Sequence, residues 1–181
     1  FEDGPAIVSV SANGDDPVEL ALPNALRSPL AFAEAGSKLE SVAIDGSGRT
    51  LTAPEEALRN RPDTVHTIYR SDGAEFSFPV YQTHRSNLKA MEIIENGKLL
   101  VLERIRNGDV SEMRLRLVNI SNCERSGLCP VEELVADKPD CQIGNFEGLA
   151  RISANVFAAV TDSKADEEEV PQLLIFKVEG I

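Results

Sequence analysis

The sequence predicts an all-β protein, and three observations carry that prediction. A pattern of apolar strand, Gly- or Asn-bearing turn and second apolar strand recurs at residues 39–51, 88–100 and 146–158. The copies begin roughly 50 to 60 residues apart, which suits one four-stranded unit per repeat. Residues 113–120 alternate apolar and polar side chains, as a half-buried strand does, and Asp72-Gly73 between two short strands is a strong hairpin signal. A lone hairpin cannot bury its faces, so the repeats imply stacked sheets. The expected architecture is a β-propeller of about three to four blades, partial in itself or completed by another chain.

The elements follow in order. Residues 6–10 and 18–22 read as strands around the turn-rich Asn13-Gly14-Asp15-Asp16-Pro17, the outer strands of a first blade. The first full repeat turns at Asp45-Gly46-Ser47-Gly48. Its residues 53–58 read as a turn or one helical turn, with Pro54 at an early helical position. Strands 66–70 and 75–79 complete it. The second repeat carries strands at 98–104 and 113–120, then a cysteine loop from Ser121 to Gly144 in which 130–135 reads as an outer strand or a short helix. The third repeat closes with 172–178 after the loop 163–171, whose acidic run Asp166-Glu167-Glu168-Glu169 reads as solvated.

A formal net charge of −12 over 181 residues disfavours a nucleic-acid or anionic-membrane surface, which needs clustered Lys and Arg. No apolar stretch is long enough to span a bilayer. The opening Phe1-Glu2-Asp3-Gly4-Pro5 is acidic and lacks an initiator Met, so the chain is expected to begin after a cleavage or truncation. The spacing of Cys123, Cys129 and Cys141, with no His nearby, argues against zinc. A local disulfide in an oxidising compartment fits better, and the Gly127 turn favours Cys123 with Cys129. Three reduced thiols are the alternative. The odd cysteine is either free or paired outside this chain.

Several ordered elements resemble the phytase-like family, the esterase-like phytases, which are bacterial six-bladed propellers. They are Leu39-Glu40-Ser41-Val42-Ala43 with Gly48-Arg49-Thr50-Leu51, then Asn96-Gly97-Lys98-Leu99-Leu100-Val101-Leu102-Glu103-Arg104 and Arg114-Leu115-Arg116-Leu117-Val118. Asn145-Phe146-Glu147-Gly148-Leu149-Ala150, Val160-Thr161-Asp162 and residues 172–176 complete the set. The resemblance runs from about residue 18 onward and covers the later blades only. It implies a secreted or periplasmic hydrolase, and a second chain or N-terminal fragment supplying the remaining blades.

Innermost blade strands line a propeller's channel, so residues at their ends are the candidates for chemistry. Glu40 and Glu147 hold the same repeat position, where the second repeat has Lys89. Glu55, Glu103, Arg104 and Asp162 fall at the far end of the second strands. Carboxylates converging there would suit Ca²⁺, with Glu40, Glu147 and Asp162 as ligands. Arg104 would receive a phosphate or carboxylate group for attack by a metal-bound water. The structural alternative has these glutamates capping backbone amides or pairing with Arg104. His84 precedes an inner strand and joins Glu40, Glu147, Glu103 and Arg104 as a catalytic candidate, whereas His66 reads as a surface or packed residue. No Gly-x-Ser-x-Gly elbow, HExxH or phosphate loop is present. Two functions fit these residues: a phosphate- or carboxylate-ester hydrolase, with or without a metal such as Ca²⁺, and a non-catalytic propeller that binds a ligand or protein partner.

Overall fold

The computed structural model of the protein describes residues 4–33, 39–81, 86–107, 110–134, 145–162 and 170–181. Among them the structure is all-β, in four antiparallel sheets joined by turns. A short pair, β1 (Val8–Ser9) with β2 (Val18–Glu19), comes first. Two four-stranded meanders follow: β3 (Leu39–Ile44), β4 (Thr50–Pro54), β5 (Val65–Arg70) and β6 (Glu75–Pro79), then β7 (Ser86–Ile93), β8 (Lys98–Asn107), β9 (Val110–Asn119) and β10 (Val131–Glu133). The last sheet holds β11 (Phe146–Ser153), β12 (Val156–Thr161) and β13 (Leu173–Lys177). Strand β7 packs between β3 and β11, so the three repeated hairpins stand side by side.

The run Leu99-Leu100-Val101-Leu102 in β8 shows how the sheets stack. All four side chains are buried, although neighbours in a strand point to opposite faces. Leu99 and Val101 join Leu51, Ile68, Phe78 and Leu88 toward the second sheet. Leu100 and Leu102 face the fourth, with Phe157 and Phe146. A strand covered on both faces loses the polar alternation that a half-exposed strand keeps. On the other side of the second sheet, Leu22, Leu26 and Phe32 cover Leu58 and Tyr69.

Some expectations needed correction. The first two strands are only two residues long each. Residues 53–58 form no helical turn, because β4 runs on to Pro54 and the chain bends at 55–56. Within 130–135, Val131–Glu133 form the outer strand β10, one of the two readings of that stretch. Among the described residues, three unanticipated 3-10 turns occur, at Asn24–Leu26, Pro29–Ala31 and Glu95–Gly97.

A disulfide joins Cys123 and Cys129. The loop it closes docks on the neighbouring sheet: Ser77 N–H donates to Gly127 O at 2.9 Å, and Cys129 N–H donates to Ser77 O at 2.7 Å. Cys141 lies outside the described residues. No helix among them is long and apolar enough to cross a membrane.

Candidate functional site

The equivalence of residues 40, 89 and 147 has a backbone cause. Pairing of β3 with β4 skips between Leu39 and Ser41, that of β7 with β8 between Leu88 and Ala90, and that of β11 with β12 between Phe146 and Gly148. Glu40, Lys89 and Glu147 are thus each the extra residue of a bulge. A bulge leaves its residue out of the ladder and re-aims the side chain. Here all three turn toward one another.

Lys89, 3% exposed, is the hub. Its Nζ lies 2.9 Å from Glu55 Oε1, 3.2 Å from Glu147 Oε1 and 3.7 Å from Glu40 Oε2. Arg104 adds a second cation: Nη2 meets Glu55 Oε1 at 2.9 Å, and Nη1 lies 3.6 Å from Glu147 Oε1. Two asparagines tie the charges together. Asn87 Nδ2 donates to Glu55 at 3.0 Å and to Glu56 at 3.2 Å. Asn145 accepts from Arg104 Nη1 at 2.7 Å and donates to Glu147 Oε1 at 2.8 Å. Both stand two residues before a bulge residue, so the Asn-x-bulge spacing of Asn87 and Asn145 is itself a sequence signal for these partners.

The glutamates differ electrostatically. Burial pushes the Glu40 carboxyl above its ordinary range against the pull of Lys89, with the like charges of Glu55 and Glu147 adding to the rise. Burial opposes ionisation of Glu147 as well, but the Asn145 hydrogen bond, Lys89 and Arg104 outweigh it and hold that carboxyl low. The Glu40 and Glu147 side chains are 28% and 27% exposed, whereas that of Glu55 is only 10%.

Glu103 and Arg104 are adjacent in sequence yet belong to different clusters, since alternation in β8 sends them to opposite faces. Glu103 is fully buried. It pairs with Arg116 at 2.6 Å, accepts from Ser86 Oγ, and lies 3.5 Å from His66 Nε2. Arg116 also donates to Pro79 O at 2.8 Å, which ties the end of β6 into this cluster. Burial opposes its charge, but His66, Arg116 and Ser86 bring the Glu103 carboxyl down to about 2.

Ser86, His66 and Glu103 have the residue types of a hydrolytic triad without its geometry. The carboxylate and the hydroxyl both approach His66 Nε2, whereas a relay needs the acid on the other ring nitrogen. The group is also sealed from solvent. His66 is therefore packed, and Glu103 links the second and third sheets.

Asp162 stands apart with its side chain exposed, and its N–H donates to Asn145 O at 3.2 Å. His84 lies outside the described residues. Among those described, no group of three or more His, Cys, Asp or Glu could hold a metal ion. The point shared by Glu40, Glu55 and Glu147 is taken by the Lys89 ammonium, whose charge would repel a divalent cation there. As arranged, these side chains do not fit calcium.

Antiparallel meanders set side by side, with re-aimed ionisable groups at one end of their inner strands, define a blade-built all-β protein with a polar site beside those strands. A family profile described as "Phytase-like: Esterase-like activity of phytase" matches residues 1–164. The chain belongs to the phytase-like family, and at family level that supports an esterase- or phosphatase-like hydrolase. Comparison with curated proteins finds no match.

Proposed function

We propose that the protein is an ester hydrolase whose reaction takes place between Glu40 and Glu147, at the mouth of a propeller channel lined by β3, β7 and β11. One observation carries the reading: two reachable carboxylates of opposite protonation tendency flank the sealed Lys89. Pairs of titratable groups pushed apart in this way divide into acid and base. Ionised Glu147 takes a proton from water, whose oxygen bonds to the acyl carbon. As the ester C–O bond breaks, Glu40 gives its proton to the departing alcohol oxygen. Asn145 and Arg104 hold the Glu147 carboxylate in place, and Lys89 offsets its charge.

Charge favours a carboxylic ester over a phosphomonoester. Glu40, Glu55, Glu56 and Glu147 outnumber Lys89 and Arg104, and both cations are engaged by carboxylates. A phosphate dianion would meet repulsion there. Secretion or a periplasmic location is part of the proposal, supported by the Cys123–Cys129 disulfide.

The test is hydrolysis of p-nitrophenyl acetate, ethyl acetate and p-nitrophenyl phosphate by the full chain, with added calcium or with EGTA. p-Nitrophenyl acetate turnover that falls at least 100-fold in Glu147→Gln is expected, and the same fall in Glu40→Gln is expected for ethyl acetate, whose alkoxide needs the proton that p-nitrophenolate does not. Loss of activity in EGTA would restore the calcium role expected from the sequence and overturn the metal-free step. No turnover of any of these esters under any condition would overturn the hydrolase reading in favour of a binding protein.

A further inference from the structure

The opposite ends of the same inner strands hold a cavity of about 540 Å³, away from the Lys89 cluster. Its wall has two chemistries. Ile44, Ile93, Ile94 and Ile120 supply apolar surface from the second and third sheets. Ile44 is 61% exposed there, a large apolar side chain left open to solvent. Around them stand Arg49, Arg70 and Arg151, one from each of three places in the fold: the β3–β4 turn, the end of β5, and β11.

These guanidinium groups retain donors. Arg70 uses only Nε, on Asp72 at 2.9 Å. Arg49 uses Nε on Asp45 at 2.7 Å and Nη1 on Asp72 at 3.3 Å. Arg151 uses Nε on Ser153 O and Nη2 on Ala154 O, with Glu95 3.6 Å from that Nη2. Among the described residues, both Nη atoms of Arg70, Nη2 of Arg49 and Nη1 of Arg151 make no hydrogen bond or ion pair. The lining carboxylates are Asp45, held by Arg49 and by the N–H groups of Ser47 and Arg49, and Glu95, whose side chain is 79% exposed.

We infer that this cavity binds a small amphipathic carboxylate, its head on the free donors of Arg70, Arg49 and Arg151 and its hydrocarbon body on the isoleucines. The pairing of an apolar wall with a few convergent polar groups is that of small-molecule sites, and the volume lies in their usual range. Planar guanidinium forks match carboxylates in geometry as well as charge. Each arginine here also meets a carboxylate, through Asp45, Asp72 or Glu95, yet keeps at least one guanidinium Nη free to donate. The inference stands whether or not the Glu40–Glu147 end hydrolyses esters.

The test is calorimetric titration of the full-length chain with octanoate, butyrate and octylamine. Octanoate is expected to bind saturably and at least ~10-fold tighter than butyrate, because its longer chain buries more apolar surface on the isoleucines. Octylamine, with the opposite charge, should not bind. Arg70→Gln should weaken octanoate about 10-fold or more by removing a charged donor. Ile44→Ser should weaken octanoate while leaving butyrate within about two-fold. Arg151→Gln is the second charge variant, and thermal melts establish that each variant is folded. Absence of saturable octanoate binding, or octanoate binding unchanged in both Arg70→Gln and Arg151→Gln, would overturn the assignment. Equal binding of octylamine would overturn it too, by removing the role of charge.

Discussion

Lys89 and Glu55 close to 2.9 Å across the junction of the second and third sheets, with side chains only 4% and 10% exposed. Charges this far from water stabilise a fold only while they stay paired, because a lone buried charge keeps its desolvation cost. Lys89→Met should therefore cost about 3 kcal/mol in urea denaturation, as Glu55, Glu147 and Glu40 lose their shared cation. Adding Glu55→Gln to that variant should recover part of the loss. A strictly additive double variant would show that the pair is not coupled.

Glu103 sets an acid limit on stability. Its folded-state carboxyl titrates at about 2, below the ordinary value of 4.5. A depressed carboxyl contributes stability that is complete above the unfolded value and is lost as pH falls through the folded one. The contribution is on the order of 3 kcal/mol, disappearing between about pH 5 and pH 2. Glu103→Gln should be less stable than the parent at pH 7, and the gap should narrow across that window when urea midpoints are compared.

The proposed reaction requires a bell-shaped pH profile. Ionised Glu147, held low, sets the acid limb, and protonated Glu40, raised by burial, sets the alkaline limb. Asn145→Ala removes the hydrogen bond that helps keep Glu147 ionised, so the acid limb should move to higher pH while the alkaline limb stays. Measuring kcat/KM for ethyl acetate, whose leaving alkoxide needs a proton, against pH checks this. An unmoved acid limb would detach Asn145 from Glu147's protonation.

Reduction of Cys123–Cys129 opens a short loop, for which chain entropy gives about 2 kcal/mol. Cys123→Ser combined with Cys129→Ser should lower stability by that order. Hydrogen exchange should quicken at Ser77 and Cys129, whose amides bond across the docked loop. Protection unchanged at those two amides would show that the docking does not need the disulfide.

Local chemistry in the sequence was enough for the hairpins and their repetition. Turns such as Asp72-Gly73 act through backbone preference alone, and Gly73 adopts φ 91° there. The placement of residues 40, 89 and 147 at one repeat position was also legible, because position in a repeat is a property of the sequence. The ends of the structure were less so: β1 and β2 shrink to two residues each in a stretch of apolar residues that reads as longer strands.

What the sequence determined by itself, then, is which residues stand at equivalent points on repeated strands. Tertiary structure decided what those points do. Whether Glu40 and Glu147 meet a metal, a backbone amide or a cation depends on where their side chains aim, and a one-residue bulge in each inner strand turns them onto Lys89. Glu103 and Arg104, neighbours in the chain, were separated by the pleat and joined to partners from other strands, Arg116 and His66 for one, Glu55 and Asn145 for the other. Those partners lie 13 to 49 positions away in the chain; pairing of β8 with β9 brings Arg116 within reach, and the packing of one sheet against the next brings the others.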